Sequence, residues 1–327
     1  MSALIGNESA RDALAAAMAS GALHHAWLLA GPEGVGKGAF ARAAALRMLA
    51  EAAGTPGLGD GWEVPGDSQP AHLVAAGSHP DYRLLARLPK DSDKPEENLA
   101  RSITIAQVRA LQAMFACLPA LSPRRVILID SIDDLERAAA NALLKNLEEP
   151  PAGTIFLLVS HAPGRLLPTI RSRCRLLRFE ALPASDVAAV LRAKLPEASA
   201  SEIDALVRAG EGSPGRALGF AGLDLAALEA DMAAIAANGD PSNAVRSRLA
   251  KLLGGKTAQP RYEAFLDRAP SFIADRARTL SGEALRTALD AYARARDLAG
   301  AALGLSLDPS ATVFEMGGLI ARLRSKD

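Results

Sequence analysis

Apolar and polar positions along the chain change period several times, and the changes divide it into elements. Ile5 to Ser20 has Ala10, Leu14, Ala17 and Met18 at helical spacing, which predicts an amphipathic helix. The short run Ala26 to Ala30 (Ala-Trp-Leu-Leu-Ala) has the length of a buried strand, and it leads through glycines into an alanine-rich helix, Gly38 to Glu51. Gly54 to Pro80 shifts to Gly, Pro and Ser and reads as an irregular insertion. Tyr82 to Leu88 reads as a second strand, and the charged stretch Pro89 to Glu97 as a mobile surface loop. Helical spacing resumes over Ile105 to Ala116 through Val108, Leu111 and Met114.

Two β-branched or aliphatic runs, Arg125 to Asp130 and Thr154 to Val159, read as central parallel strands. Between them, Leu135 to Leu147 presents Ala139, Ala142, Leu143 and Leu147 on one helical face and is closed by Glu148-Glu149-Pro150-Pro151. Leu176 to Phe179 supplies a further short strand. Strands that alternate with helices imply a parallel sheet covered on both faces. Beyond Pro183 the pattern is helical throughout, with short helices over Ser185 to Leu195, Ser201 to Ala209 and Ser213 to Phe220 and a longer helical series from about Leu225. Boundaries near residues 180 and 235 divide the chain into an α/β core (1–180), a small helical lid (181–235) and a C-terminal helical domain (236–327). No fixed-period repeat is evident.

Composition supports this division. The 327 residues are 49% hydrophobic but only 4% aromatic, a balance that favours helix. Lysine plus arginine and aspartate plus glutamate both number 37, so no whole-chain field draws the protein to nucleic acid or to an anionic membrane. The N-terminal residues carry Glu8 and Asp12 rather than a basic segment followed by an apolar one, and no apolar run is long enough to span a bilayer; a cytoplasmic protein is expected. Cys117 and Cys174 are too few and too far apart for a disulfide framework or a cysteine-built zinc site, and both read as small core residues.

The chemistry concentrates at a few positions. Gly31-Pro32-Glu33-Gly34-Val35-Gly36-Lys37-Gly38 has the spacing of a phosphate loop up to its lysine, with a strand before it and a helix after. Glycines let backbone N–H groups converge on phosphates, and Lys37 would reach the outer ones. Where a working loop carries Ser or Thr to ligate magnesium, this chain has Gly38, which compromises metal-dependent hydrolysis. The backbone cradle and Lys37 leave room for ATP or ADP, although no cofactor is required.

Asp130 ends its strand at the carboxyl edge of the sheet, where a second metal ligand would sit. Asp133 and Asp134 lie close by, either as substitute carboxylates or as caps at the start of the next helix. Ser160 closes the next strand, either facing a nucleotide or forming a turn. Arg173, in Pro168 to Cys174 (Pro-Thr-Ile-Arg-Ser-Arg-Cys), is either an arginine finger that stabilises charge on another subunit's γ-phosphate or a surface arginine with no partner, and the finger is the candidate role.

Together these residues resemble the clamp-loader branch of the AAA+ proteins, which serves bacterial DNA polymerase III. The resemblance is carried by Leu23-His24-His25-Ala26-Trp27, the phosphate loop, His79-Pro80-Asp81, Arg137 to Pro151 and Ser172-Arg173-Cys174, over the first two thirds of the chain. It implies an AAA+ P-loop core, a helical lid, and a C-terminal collar that assembles a ring of five. In AAA+ ATPases a glutamate that orients the attacking water follows the strand-end aspartate, whereas Ser131 follows it here. The branch includes a rigid, non-hydrolysing member that presents its Ser-Arg-Cys arginine to the ATP of an adjacent gamma or tau subunit. Little or no intrinsic ATPase is then expected. The implied partners are gamma/tau and delta, with the sliding clamp and primer-template DNA engaged through the complex.

Gly212-Ser213-Pro214-Gly215-Arg216 resembles the lid's second sensor motif, in which Arg216 either faces a bound phosphate or serves as a helix-capping or surface charge. Many relatives carry a four-cysteine zinc module. Gly54 to Pro80 has no cysteine, and His72 and His79 alone do not complete a site, so no structural zinc is expected. Two other classes remain at the level of sequence: a catalytically active AAA+ ATPase, of gamma-motor or helicase-loader type, using Asp133, and a stand-alone DNA-binding protein using Arg165, Arg171, Arg173, Arg175 and Arg178.

Overall fold

The computed structural model describes residues 4–90, 99–305 and 307–324. Most of the stretch expected as a mobile loop, Pro89 to Glu97, lies outside the described residues. Five strands form one parallel sheet: β1 (Ala26–Ala30), β2 (Tyr82–Leu85), β3 (Arg125–Asp130), β4 (Thr154–Ser160) and β5 (Arg175–Arg178), in the order β2-β3-β4-β1-β5. In register, Ile127 pairs with Phe156 and Leu28 with Leu158.

The runs are continuously apolar because both faces of the sheet are covered. Strand residues alternate between faces, so Val126, Leu128, Leu157, Leu29 and Leu177 pack with Phe40, Met48 and Leu49 of α2 (Lys37–Ala52) and Leu14 of α1 (Glu8–Ala19). Ile127, Ile129, Phe156, Leu158 and Leu28 face the other way. They pack against Val108 and Leu111, and against Ala139, Leu143 and Leu147. Those residues lie on α4 (Ile105–Phe115) and α5 (Arg137–Glu148) respectively. The intervening α3 (Gln69–Ala75) corrects the reading of 54–80 as wholly irregular: Pro70 lies in its first turn, where a missing N–H costs nothing.

Motif residues outside the phosphate loop hold this core together. The His25 ring nitrogen Nε2 lies 3.0 Å from the Leu147 carbonyl at the end of α5, and Trp27 Nε1 donates to the His24 carbonyl at 2.9 Å. Asp81 is buried, and its two carboxylate oxygens accept the backbone N–H groups of Ala120 and Leu121 at 2.7 and 2.8 Å. His79 is also buried and accepts the Asp81 N–H through Nδ1.

Compact structure divides into two units, one of residues 1–186 with 212–215 and one of residues 187–211 with 216–327. Following α6 (Pro168–Arg171), the remaining helices are α7 (Ala184–Lys194), α8 (Ala200–Gly210), α9 (Pro214–Gly219), α10 (Leu225–Asn238), α11 (Ala244–Leu253), α12 (Gln259–Ala277), α13 (Gly282–Leu305) and α14 (Pro309–Ala321). Residue 235, the expected second boundary, lies inside α10.

The second unit is organised by buried charge as well as apolar packing. Arg268 of α12, 3% exposed, pairs with Glu229 of α10 at 2.9 Å. Asp240 accepts two N–H groups in the first turn of α11, from Val245 and Arg246, which satisfies helix-end donors.

Candidate functional site: a degenerate phosphate loop and a candidate finger arginine

The loop between β1 and α2 has the backbone of a phosphate cradle. Gly36 enters α2 at φ 99, a left-handed conformation that disfavours any side chain. Gly31 is required for space, because a Cβ there would lie 2.0 Å from the Phe179 carbonyl oxygen. The loop is backed by the Gly-Ser-Pro-Gly stretch of the same unit. Ser213 Oγ donates to the Glu33 carbonyl at 2.8 Å, Gly215 N–H donates to the Gly34 carbonyl at 2.8 Å, and a Cβ on Gly215 would come within 2.7 Å of Gly34 Cα.

Lys37 is 2% exposed, and its ammonium donates to the Gly31 carbonyl at 2.6 Å and to the Pro32 carbonyl. Two of its three donors are therefore engaged by the loop's own backbone. Burial pulls its pKa down from 10.5 to about 8, against the opposing pull of Asp133, Glu33 and Asp130.

The metal position is different from that of a hydrolysing loop. Asp130 Oδ2 accepts from Arg42 Nη2 at 2.7 Å. A Cβ on Gly38 would stand 2.7 Å from that same oxygen and 3.1 Å from Arg42 Nη1. Magnesium requires several oxygen ligands in a near-octahedral shell. Here the loop offers no hydroxyl and its carboxylate already carries a cationic partner, so the residues do not fit a magnesium site. Sequence reading missed Arg42. Its signal was the spacing: four residues beyond Gly38, it lies one helical turn along the same face of α2.

Asp133 is engaged elsewhere. Its carboxylate accepts Ser131 Oγ at 3.0 Å, Ser160 Oγ at 3.0 Å, His161 N–H at 2.6 Å and Ala162 N–H at 3.2 Å. Burial alone would raise its pKa. The hydrogen bonds from His161, Ser160, Ser131 and Ala162 outweigh burial and hold it below the usual carboxylate range. Asp133 thus ties the end of β3 to the end of β4 and is not a cap on α5. Each Asp133 oxygen therefore accepts two hydrogen bonds. Asp134 pairs with Arg87 at 3.2 Å.

Arg173 follows α6 and donates to the Thr169 carbonyl at 2.8 Å; its guanidinium also lies 2.7 Å from Glu148 at the end of α5. The side chain is one third exposed. Beside it, Cys174 donates to the Ile170 carbonyl, and burial pushes its thiol up to about 12, which leaves it inert at neutral pH. Cys117 is exposed, contrary to the expectation of a core position, because it falls in the loop after α4.

In the second unit Arg216 pairs with Asp267 at 2.9 Å and with Glu211 at 2.7 Å. Of the arginines considered for DNA, Arg171 donates to the Pro163 carbonyl, while Arg175 and Arg178 are exposed on β5. Among the described residues no cluster of His, Cys, Asp and Glu could hold a metal ion, and no helix is long and apolar enough to cross a membrane.

A parallel sheet ordered 2-3-4-1-5, with a glycine loop after its β1 strand and an aspartate ending β3, defines a P-loop protein of the AAA+ class. A family model described as "DNA polymerase III, delta subunit" matches residues 6–183, more than half of the chain. The chain belongs to the delta-prime family of bacterial DNA polymerase III subunits. It is 38% identical over 193 residues to the delta-prime subunit of Pseudomonas aeruginosa, covering 58% of this chain and 53% of that one. It is 34% identical over 207 residues to that of Escherichia coli, covering 63% and 57%. A gamma/tau subunit from Mycobacterium bovis is 31% identical over 216 residues, covering 64% of this chain and 34% of the relative. The chain spans little more than half the length of these two delta-prime relatives.

Proposed function

We propose that this chain is a non-hydrolysing scaffold subunit of the DNA polymerase III clamp loader. In this reading it assembles in the cytoplasm with gamma/tau and delta subunits, helps to load the sliding clamp on primed DNA, and supplies Arg173 to the ATP of a neighbouring subunit. The observation that carries the reading is the state of its own loop. Gly38 offers no ligand, Asp130 is paired with Arg42, and the nearby carboxylates that could replace a catalytic glutamate are engaged, Asp133 by four hydrogen bonds and Asp134 by Arg87. Hydrolysis needs a positioned metal and a water-orienting group, and the loop supports neither.

Arg173 suits the second half of the role because a planar guanidinium stabilises charge spread over phosphoryl oxygens. Its partner Glu148 is half exposed, so the pair costs little to exchange for a phosphate.

The test has two parts. The isolated chain should show no ATP turnover above background, and turnover at the rate of an ordinary AAA+ motor would defeat the scaffold reading. In a complex reconstituted with gamma/tau and delta subunits, Arg173→Ala should leave assembly intact and lower DNA-stimulated ATP hydrolysis. Unchanged hydrolysis would remove the finger assignment.

A further inference from the structure

We propose that the Arg42 guanidinium is a built-in counter-ion that stands where a divalent cation would stand, so that Arg42 and not only the loss of a hydroxyl at position 38 keeps metal out of this loop. Three observations converge on one small volume. Arg42 Nη2 lies 2.7 Å from Asp130 Oδ2. The same oxygen and Arg42 Nη1 crowd the Cα of Gly38, so a side chain there would meet them at 2.7 and 3.1 Å. Gly38 and Arg42 are one turn apart on α2, so the missing side chain at 38 leaves the path along the helix surface open to the arginine.

The consequence is electrostatic. A divalent cation at a phosphate loop is held by a hydroxyl and a strand-end carboxylate and brings two positive charges to the phosphates. Here the hydroxyl is absent and the carboxylate's charge is matched by a guanidinium, which needs no water shell and no octahedral geometry. A metal entering this position would have to displace Arg42, whose side chain is half exposed, from the mostly buried carboxylate of Asp130 and find its remaining ligands in water. Gly38 is therefore not an isolated loss. It creates the space through which Arg42 reaches Asp130, and the two residues act as one device.

This deepens the reading of the loop as non-hydrolysing and can fail separately from it. Mn2+, visible by electron paramagnetic resonance, is titrated as a substitute for Mg2+ into the full chain with ATP present. The wild-type chain should bind no Mn2+. The paired substitution Gly38→Ser with Arg42→Ala should create a site at least about tenfold tighter than any wild-type uptake, a gain of ~1.4 kcal/mol. Arg42→Ala alone, which adds no atoms near Asp130, should give a weaker gain and covers the case in which the paired variant fails to fold. Circular dichroism checks that each variant is folded.

Mn2+ bound by the wild-type chain with ATP would overturn the proposal, as would folded variants that gain no Mn2+. Wild-type Mn2+ binding without turnover would overturn the ion-pair inference and leave the scaffold reading standing.

Discussion

The guanidinium of Arg173 lies 2.7 Å from the carboxylate of Glu148, so the arginine of the Ser-Arg-Cys segment is docked on the end of the helix that closes with Glu-Glu-Pro-Pro. Both side chains are partly exposed, and such a pair contributes about 0.2–1 kcal/mol. Glu148→Gln should therefore change the melting temperature little. It should also leave Arg173 freer, so that the reconstituted complex hydrolyses ATP at least as fast as wild type. A fall comparable to that of Arg173→Ala would mean that Glu148 is needed to position the arginine.

Asp133 is expected to matter for stability rather than catalysis. Asp133→Ala removes a charged acceptor from two hydroxyls and two backbone N–H groups, and hydrogen bonds to charged groups contribute about 1.5–3 kcal/mol each, net of their exchange with water and not additively. A loss of ~2–4 kcal/mol in urea denaturation is expected. Because the folded carboxyl titrates below its usual range, its contribution is complete above the unfolded pKa of 3.8 and is lost as pH falls below it. The gap between wild type and Asp133→Ala should therefore narrow in acid. A gap that widened there would contradict the assignment.

Asp81 should behave as a structural acceptor. Its carboxylate orders the backbone of Ala120 and Leu121 in the loop that leads into β3. Asp81→Ala should cost ~2–4 kcal/mol by leaving two amides without a partner, and amide exchange at positions 120 and 121 should accelerate. Exchange unchanged at both positions would refute the role.

Lys37 should titrate near pH 8. The sign follows from its lowered pKa: between about 8 and 10.5 the unfolded chain keeps a proton that the folded chain has released, so this residue's contribution to stability rises with pH through that window. Wild type should gain stability relative to Lys37→Met as pH rises from 8 to 10, measured by urea midpoints at each pH. A difference independent of pH would place the ammonium in water.

Much of the core was legible in the chain. Ala26–Ala30 and Arg125–Asp130 have the same limits in the pattern and in the structure, because a strand buried on both faces must be continuously apolar and is punctuated by turn residues. The insertion at 54–80 was less legible. Its α3 is only seven residues long, too short for a helical period to stand out against glycine and proline. The capping box of Thr104 and Gln107, which fixes the start of α4, left a signature in its Thr-x-x-Gln spacing.

The sequence by itself determined which groups this protein lacks: no hydroxyl at Gly38, no carboxylate at Ser131 and no cysteines in the insertion, since an absent functional group is absent in any fold. It also determined the phosphate-loop backbone, because that geometry depends on glycines at fixed local spacing. What the remaining groups do instead was decided only by tertiary structure. Asp130 meets Arg42 across 88 residues, and Asp133 meets Ser160 across 27. Both meetings follow from sheet order and from the seating of α2 on β3. A carboxylate's role is set by the donors within about 3 Å of it, and neighbours that come from distant segments leave no mark on the residue's own stretch of sequence.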